Sequence, residues 1–571
     1  MTMQAPGLRA GVLVLVAAGL VAPIGAGLWQ TASAAFGHLP VLGAIGPDLT
    51  AWTALTSLPG LWTALRLTLT TGLGATALSL LIAIGVCAAL SARAHRNWLS
   101  RVLTPFLALP HAALAIGLAF VLAPSGWIAR LLATPLGWDR PPDVATVNDP
   151  LGLALMVGLM VKEVPFLLLV LQAALTQLPV RSLMSAGRSL GYARGTVWVR
   201  VILPQAWPLI RLPVLVVLAY AMSVVDMALI LGPSNPPTLA VLVTRLFSDP
   251  DLKMLLPASA GGMLQLALVA GAFGLLVLGE RAAAALGRVW LRRGGRGALL
   301  EPALRALAVA AAALLALGAA AMLALLVWSV AWRWPWPALV PQDWSLRAWT
   351  APTAGWAGPL RQTTLIAVVA TGVSLALAIA WLEAEDRARR PRARWAEALI
   401  YLPLLVPQVS FLFGLNLLYL ALGVGGGVGA VVWAHVLFVF PYVMIALSDP
   451  WRALDPRILR TAAALGAGPS RRLWRVKLPM LLAPLSTAAA IGVAVSVAQY
   501  LPTLFIGAGR VATLTTEALT LASSSDRRVT AVYATLQAGL PFAAYALAFG
   551  LPAWHHRHRR DLRDLRPDPT P

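Results

Sequence analysis

Twelve long apolar runs set the terms on which this chain can fold. They lie at about 9 to 29, 64 to 90, 102 to 125, 151 to 176, 206 to 232 and 257 to 279, and again near 303 to 330, 360 to 382, 397 to 421, 428 to 448, 480 to 507 and 530 to 553. About 20 residues of helix cross roughly 30 Å of hydrocarbon, and these runs reach that length. Inside a bilayer the backbone has no water to bond, so each run must satisfy its own amides as a helix. The expected fold is therefore all-α and integral to the membrane, with about twelve transmembrane helices. Composition agrees, since hydrophobic residues make up 59% and charged residues only 12%, against roughly 25% charged in soluble domains.

Charge placement gives an orientation. The net charge is +22, but a nucleic-acid surface would gather its basic residues on one face, and here they punctuate the apolar runs. With the N-terminus inside, the inner loops hold 31 of the 44 Lys and Arg, the opposite side 9, and the spans 4. That asymmetry places both termini in the cytoplasm. The first run, with Arg9 before it and Ala32-Ser33-Ala34 after it, could also be a cleaved signal peptide. The uncleavable counterpart at 303 to 330 favours a retained span. The single cysteine, Cys87, lies inside an apolar run and offers neither a disulfide nor a metal cluster.

Two basic loops 275 residues apart carry one spaced pattern. Ser185-Ala186-Gly187, Gly191, Val201 and Leu203-Pro204 recur as Arg460-Thr461-Ala462, Gly466, Val476 and Leu478-Pro479. Two short helices with a turn between them fit that spacing, because glycine takes a turn conformation that a side chain disfavours and proline opens a helix. The repeat extends further. Leu231-Gly232 and Thr238-Leu239 recur as Ile506-Gly507 and Thr513-Leu514, while Leu65-Arg66 and Ala75-Thr76 answer Leu360-Arg361 and Ala370-Thr371 at a spacing of 295. The chain thus divides into a first repeat, 1 to 280 with its core at 64 to 280, a basic linker at 281 to 302, a second repeat, 303 to 553 with its core at 360 to 552, and a basic tail at 554 to 571. Six spans per repeat is an even number, so the copies are parallel and relate by a pseudo-twofold axis along the membrane normal.

These loops resemble the EAA signature of the permease subunits of bacterial ABC importers of the type I fold, and the chain resembles a fused permease with two such domains. Phe440-Pro441-Tyr442, Leu454-Asp455-Pro456 and Ala462 to Gly468 carry the likeness in the second half, and Val164-Pro165-Phe166 in the first. Among fused members it is similar to importers of the thiamine, iron(III) and polyamine type. The stretch from His111 to Pro124 and Lys162-Glu163-Val164-Pro165 resemble the Ynj-type permeases, which are described as thiamine-like. The resemblance implies that each loop forms a coupling helix, at about Gly191 to Arg200 and Gly466 to Arg475, seated in a separate ATPase subunit. It implies two ATPase subunits, a periplasmic or surface-tethered substrate-binding protein, and no cofactor in this chain, ATP being bound by the ATPases. An ATPase of its own would need a phosphate loop ending in Gly-Lys-Ser or Gly-Lys-Thr, yet Lys162, Lys253 and Lys477 are followed by Glu, Met and Leu. The family's acidic first position is Ser185 in one loop and Arg460 in the other. That departure is either drift in a loop held by shape or a partner ATPase with an altered groove.

Charges within spans are costly and so informative. Lys162 and Glu163 in the fourth span and Asp226 in the fifth stand out. One reading pairs Lys162 with Glu163 or Asp226 to lock two helices, and the other sets Glu163 or Asp226 on a pathway for a cationic solute. Gln408, Asn416, Gln499 and Tyr500 are polar counterparts in the second half, and Gln499 joins the candidate pathway residues. His555, His556 and His558 alternate with arginines in a solvated tail and make no metal site. Tryptophans such as Trp29, Trp52, Trp62, Trp334 and Trp336 sit at span ends, as interface anchors do. No nucleophile, base and orienting residue cluster in sequence. Three function classes are left: an ATP-driven importer permease, an ion-coupled carrier with two parallel repeats, and a membrane enzyme.

Overall fold

The computed structural model describes residues 5–90, 103, 105–292, 300–351, 354–388, 394–424, 426–523 and 526–555. Residues 91–102 and 389–393 of the expected inner loops, 293–299 of the expected linker, and His556 and His558 of the tail lie outside these. Among the described residues ten helices are long and apolar enough to span a membrane. Pro469–Met480 and Leu482–Ala498 form an eleventh, bent by 76°, and Leu412–Ala421 is a shorter apolar helix at the place of the expected ninth span. A two-residue-deep hairpin, Ala331–Arg333 against Asp343–Trp344, is the one sheet described.

The two halves repeat at the level of single contacts. Thr68 Oγ1 accepts the Leu239 amide at 2.9 Å, and Thr363 Oγ1 accepts the Leu514 amide at 2.8 Å. The donors are 275 residues apart and the acceptors 295, the two spacings read from the sequence. In both halves a loop helix precedes a long helix, a break, a short helix and a final span. These are Val180–Ser189, Leu203–Ser223, Asp226–Leu231 and Leu255–Arg292, then Pro456–Ala464, Leu482–Ala498, Leu501–Gly507 and Arg527–His555.

The leading spans, which lie outside the sequence-matched cores, hold the halves together by crossing over. Ala10–Ala35 packs on Leu412–Ala421 of the second half, and Leu300–Val330 packs on Leu61–Leu90 and His111–Leu122 of the first. Both crossings use close backbone approach. A Cβ on Gly414 would collide with the Gly27 carbonyl, and a Cβ on Gly117 with the Ala321 carbonyl. Small residues serve this purpose between membrane helices, where tight packing replaces a hydrophobic driving force.

Several expected spans are interrupted instead of continuous. The run expected at 102 to 125 is helical at 105–108, breaks at Leu109-Pro110, and resumes at His111–Leu122. The run expected at 397 to 421 is Arg394–Tyr401, two short 3-10 turns, then Leu412–Ala421. Proline explains both, since Pro110 and Pro407 cannot donate to the preceding turn and disfavour helix before them. The stranded carbonyls of the first break are met by Lys162. Its ammonium donates to Phe106 O at 3.2 Å, Leu107 O at 3.0 Å and Leu109 O at 2.6 Å. Three donors thus meet three acceptors. The pairing of Lys162 with Glu163 or Asp226 is corrected accordingly, because no such salt bridge forms among the described residues.

Two expectations follow. Gly414→Leu should drive a side chain into the backbone of the first span and cost about 1–3 kcal/mol, read as a lower Tm of the solubilised protein, whereas Gly372→Leu, facing open space, should be tolerated. Lys162→Met should be destabilising by itself, on the order of 3 kcal/mol from unmet buried carbonyls, and should fail to rescue Asp226→Asn. Rescue in a thermal melt of the double variant would contradict the capping role.

Candidate transport pathway and coupling loops

A cavity sits where both broken spans turn. In the first half the helix ends at Ser223, runs extended through Val224, and restarts at Asp226. In the second it ends at Ala498, runs extended through Gln499, and restarts at Leu501. All three positions match at the spacing of 275. The chemistry of the two breaks differs. Pro502, just inside the second short helix, has no amide to offer Ala498. Its counterpart Met227 has one, but the amide is taken by Asp226 Oδ1 at 2.9 Å. One half breaks its helix with a proline, the other with a carboxylate that captures the amide.

Neighbouring side chains brace the breaks. Gln265 donates to Met222 O at 3.0 Å. His435 bridges the second break, with Nδ1 2.8 Å from Ser496 Oγ and Nε2 2.9 Å from Thr503 Oγ1. Between them opens a cavity of about 150 Å³, lined on the first-half side by His111, Tyr220, Ser223 and Asp226, and on the second by Gln408, Tyr442, Gln499 and Tyr500. Tyr220 and Val495, Ser223 and Ala498, and Asp226 and Leu501 are equivalent positions of the two repeats, and His111 and Gln408 each follow the proline of a broken span. The cavity therefore straddles the pseudo-twofold axis.

Of the candidate pathway residues, Asp226 and Gln499 line this space, and Glu163 does not, being buried within Leu153–Thr176. Tyr220, Tyr442 and His435 escaped sequence reasoning. Alignment of the halves at 275 would have flagged Tyr220 through its counterpart Val495, just ahead of the break.

The paired loops share one geometry. Gly191 and Gly466 both have φ of +81°, the left-handed conformation that favours glycine. Around them Gly191 N bonds Arg188 O at 2.9 Å and Tyr192 N bonds Gly187 O at 3.2 Å, while Gly466 N bonds Ala463 O and Ala467 N bonds Ala462 O, each at 3.0 Å. This is the Schellman ending of a helix, twice over. Ser185, Ala186 and Gly187 lie on Val180–Ser189, and Arg460, Thr461 and Ala462 on Pro456–Ala464, neither of which buries a residue. Leu190 and Leu465, at equivalent positions, are 68% and 83% exposed. The segments after the glycines differ. Arg194–Val197 runs on through Leu203 and Pro204 as one span, with Trp198 fully buried. Pro469–Met480, which carries Leu478 and Pro479, is bent by 76° from Leu482–Ala498 and leaves Trp474 68% exposed. Exposed surface therefore lies mainly ahead of the glycine in the first loop and on both sides of it in the second.

The loops are anchored differently. Ile202 packs in the core of the first half, but its counterpart Lys477 sits 2.6 Å from Glu383 Oε2 and 2.5 Å from Asp386 Oδ2. Trp451 donates to the same Asp386 oxygen at 3.0 Å, and Arg452 reaches Glu385 at 2.9 Å. On the opposite side, Trp334 and Trp336 pack on a charged residue. They flank Arg130, whose guanidinium lies 5.0 and 5.5 Å from their rings and donates to Pro335 O and Ala338 O. Trp29 and Trp62 remain exposed, 71% and 72%, as anchors would be.

Comparison with known proteins bears on this arrangement. The family described as binding-protein-dependent transport system inner membrane component matches residues 81–282 and 369–553. The chain is 31% identical over 517 residues to the inner membrane ABC transporter permease protein YnjC of Escherichia coli (strain K12), covering 90% of this chain and 93% of that protein. It is also 31% identical over 185 residues to the molybdenum transport system permease protein ModB of Mycobacterium tuberculosis (strain ATCC 25618 / H37Rv), covering 30% of this chain and 67% of that protein. No solved structure shows significant similarity. With the family domain present twice and each copy ending its exposed loop in the same glycine turn, the chain belongs to the ABC transporter permeases of binding-protein-dependent transport systems, as a fused double-domain member.

Proposed function

We propose that this chain is the complete translocation unit of an ATP-driven importer. Solute passes through the cavity at the paired helix breaks, two ATPase subunits dock on Val180–Leu190 and Pro456–Leu465, and an external binding protein delivers the solute from the opposite side. The observation that carries this reading is the pair of exposed loop helices, alike in turn geometry and in their projecting leucines. A docking surface needs apolar projections framed by polar residues, and Arg188, Arg457 and Arg460 supply the frame. The excess of Lys and Arg on the loop side favours a cytoplasmic location for both loops and both termini. The solute is a small one, thiamine-like or of similar size. Ser185 and Arg460, where relatives carry an acid, fit an ATPase groove that reads shape in preference to charge.

The full chain should copurify with two ATPase copies and hydrolyse no ATP alone; robust hydrolysis by the purified chain would overturn the assignment. Gly191→Val or Gly466→Val forces a β-branched residue into a left-handed turn, at about 1–3 kcal/mol. Each should reduce ATPase association in pull-down and solute uptake in cells while leaving the membrane core folded. Normal uptake by both variants would show that the turns do not set the docking geometry.

A further inference from the structure

We infer that the central cavity is selective for a small organic cation and has a fixed polarity, receiving the cationic end at Asp226 of the first half and the uncharged, hydrogen-bonding end at Gln408, Gln499 and Tyr500 of the second. The inference rests on the proposed pathway and adds the class and orientation of its solute.

The two halves present unequal chemistry at equal positions. Where the first half places Asp226 the second places Leu501, and where the second places Gln499 and Tyr500 the first has Val224 and Val225. Among the described residues Asp226 is the one carboxylate lining the space, and no Lys or Arg lines it. The carboxylate is 8% exposed, and its Oδ1 is fixed by the Met227 amide, so its direction is set by the break itself. The closest cation, Lys162, has all three protons on backbone carbonyls and forms no salt bridge to Asp226.

Aromatic residues complete the set. Tyr220, Phe438, Tyr442 and Tyr500 line the same space, and rings around a carboxylate suit a cation, which is attracted to π-faces as well as to the charge. Tyr220 stacks at 4.5 Å on His111, and its hydroxyl is within reach of the Asp226 carboxylate. An anion placed here would meet the carboxylate in low dielectric with no Lys or Arg among the described lining residues.

The test reads the charge of the cavity without knowing the solute. In the full-length chain in nanodiscs, in a Cys87→Ala background, Ser223→Cys places a thiol on the cavity wall. Its thiolate attacks the sulfenyl sulfur of a methanethiosulfonate, forming a disulfide and releasing methanesulfinate. Rates with cationic, anionic and neutral reagents of similar size are measured at pH 8 and normalised to their rates with free 2-mercaptoethanol. The cationic reagent should win over the anionic by roughly tenfold or more, as expected for a field focused in a low-dielectric cleft. Asp226→Asn, which keeps the acceptor for Met227, should bring the ratio close to one. Ala498→Cys, the equivalent position across the axis, should show a smaller preference, and it serves as the probe if the first variant fails to fold. Equal rates, an anionic preference, or a cationic preference that survives Asp226→Asn would overturn the cation assignment. If even the neutral reagent fails at both positions, the cavity is closed to water and the pathway reading fails instead.

Discussion

Every backbone amide and carbonyl in the hydrocarbon must find a partner in the protein, and this molecule interrupts its helices at just that depth. The continuous spans need nothing further, because each helix closes its own ladder. The breaks at Leu109-Pro110, Val224-Val225, 402–411 and Gln499-Tyr500 do. Lys162 caps the first, the Asp226 carboxylate and Gln265 serve the second, and Pro502 and His435 shape the last. Several of the buried polar side chains are found at these places. The central space exists because the helices turn there, and they can turn there because these side chains take over the backbone's unmet bonds.

The same economy explains how one polypeptide makes two unlike halves on one plan. Contacts that set the frame are kept in both copies, as with the Thr68 and Thr363 hydroxyls or the glycine turns of the loops. Contacts that fill the frame diverge. Ile202 seats the first loop by apolar packing, and Lys477 seats the second by a buried ion pair with Glu383, extended by Asp386 and Trp451. An ion pair taken from water brings little net stability but strongly resists loss of one partner. The second loop is therefore tied to one helix end, and the first rests on a broad apolar surface.

Much of this was legible in the sequence and some was not, for physical reasons. Spans and loops declare themselves through local composition, and Gly191 and Gly466 mark their turns because few other residues tolerate a φ of +81°. The break after Ser223 left no such mark, since Val224 and Val225 continue an apolar run and carry neither glycine nor proline. Lys162 was misread because its acceptors are backbone carbonyls more than 50 residues away, which no side-chain pattern records. That Trp334 and Trp336 flank Arg130 was equally hidden, because Arg130 lies about 200 residues away in the chain. The crossing of the leading spans was invisible because small residues on an apolar helix say that something packs closely, but not what.

That crossing has a consequence in time. The chain emerges from the ribosome at about 5–20 residues per second, and Gly27 is made about 390 residues before Gly414, on which it packs. For roughly 20 to 80 s at that rate the first span has only lipid on the face meant for the second half. The second leading span finds its first-half partner at once, because Gly117 is already in place when Ala321 arrives. Assembly is thus ordered by the chain itself: the second half closes on a first half that has been standing open, and the last contact to form around Gly27 is the one that joins the two.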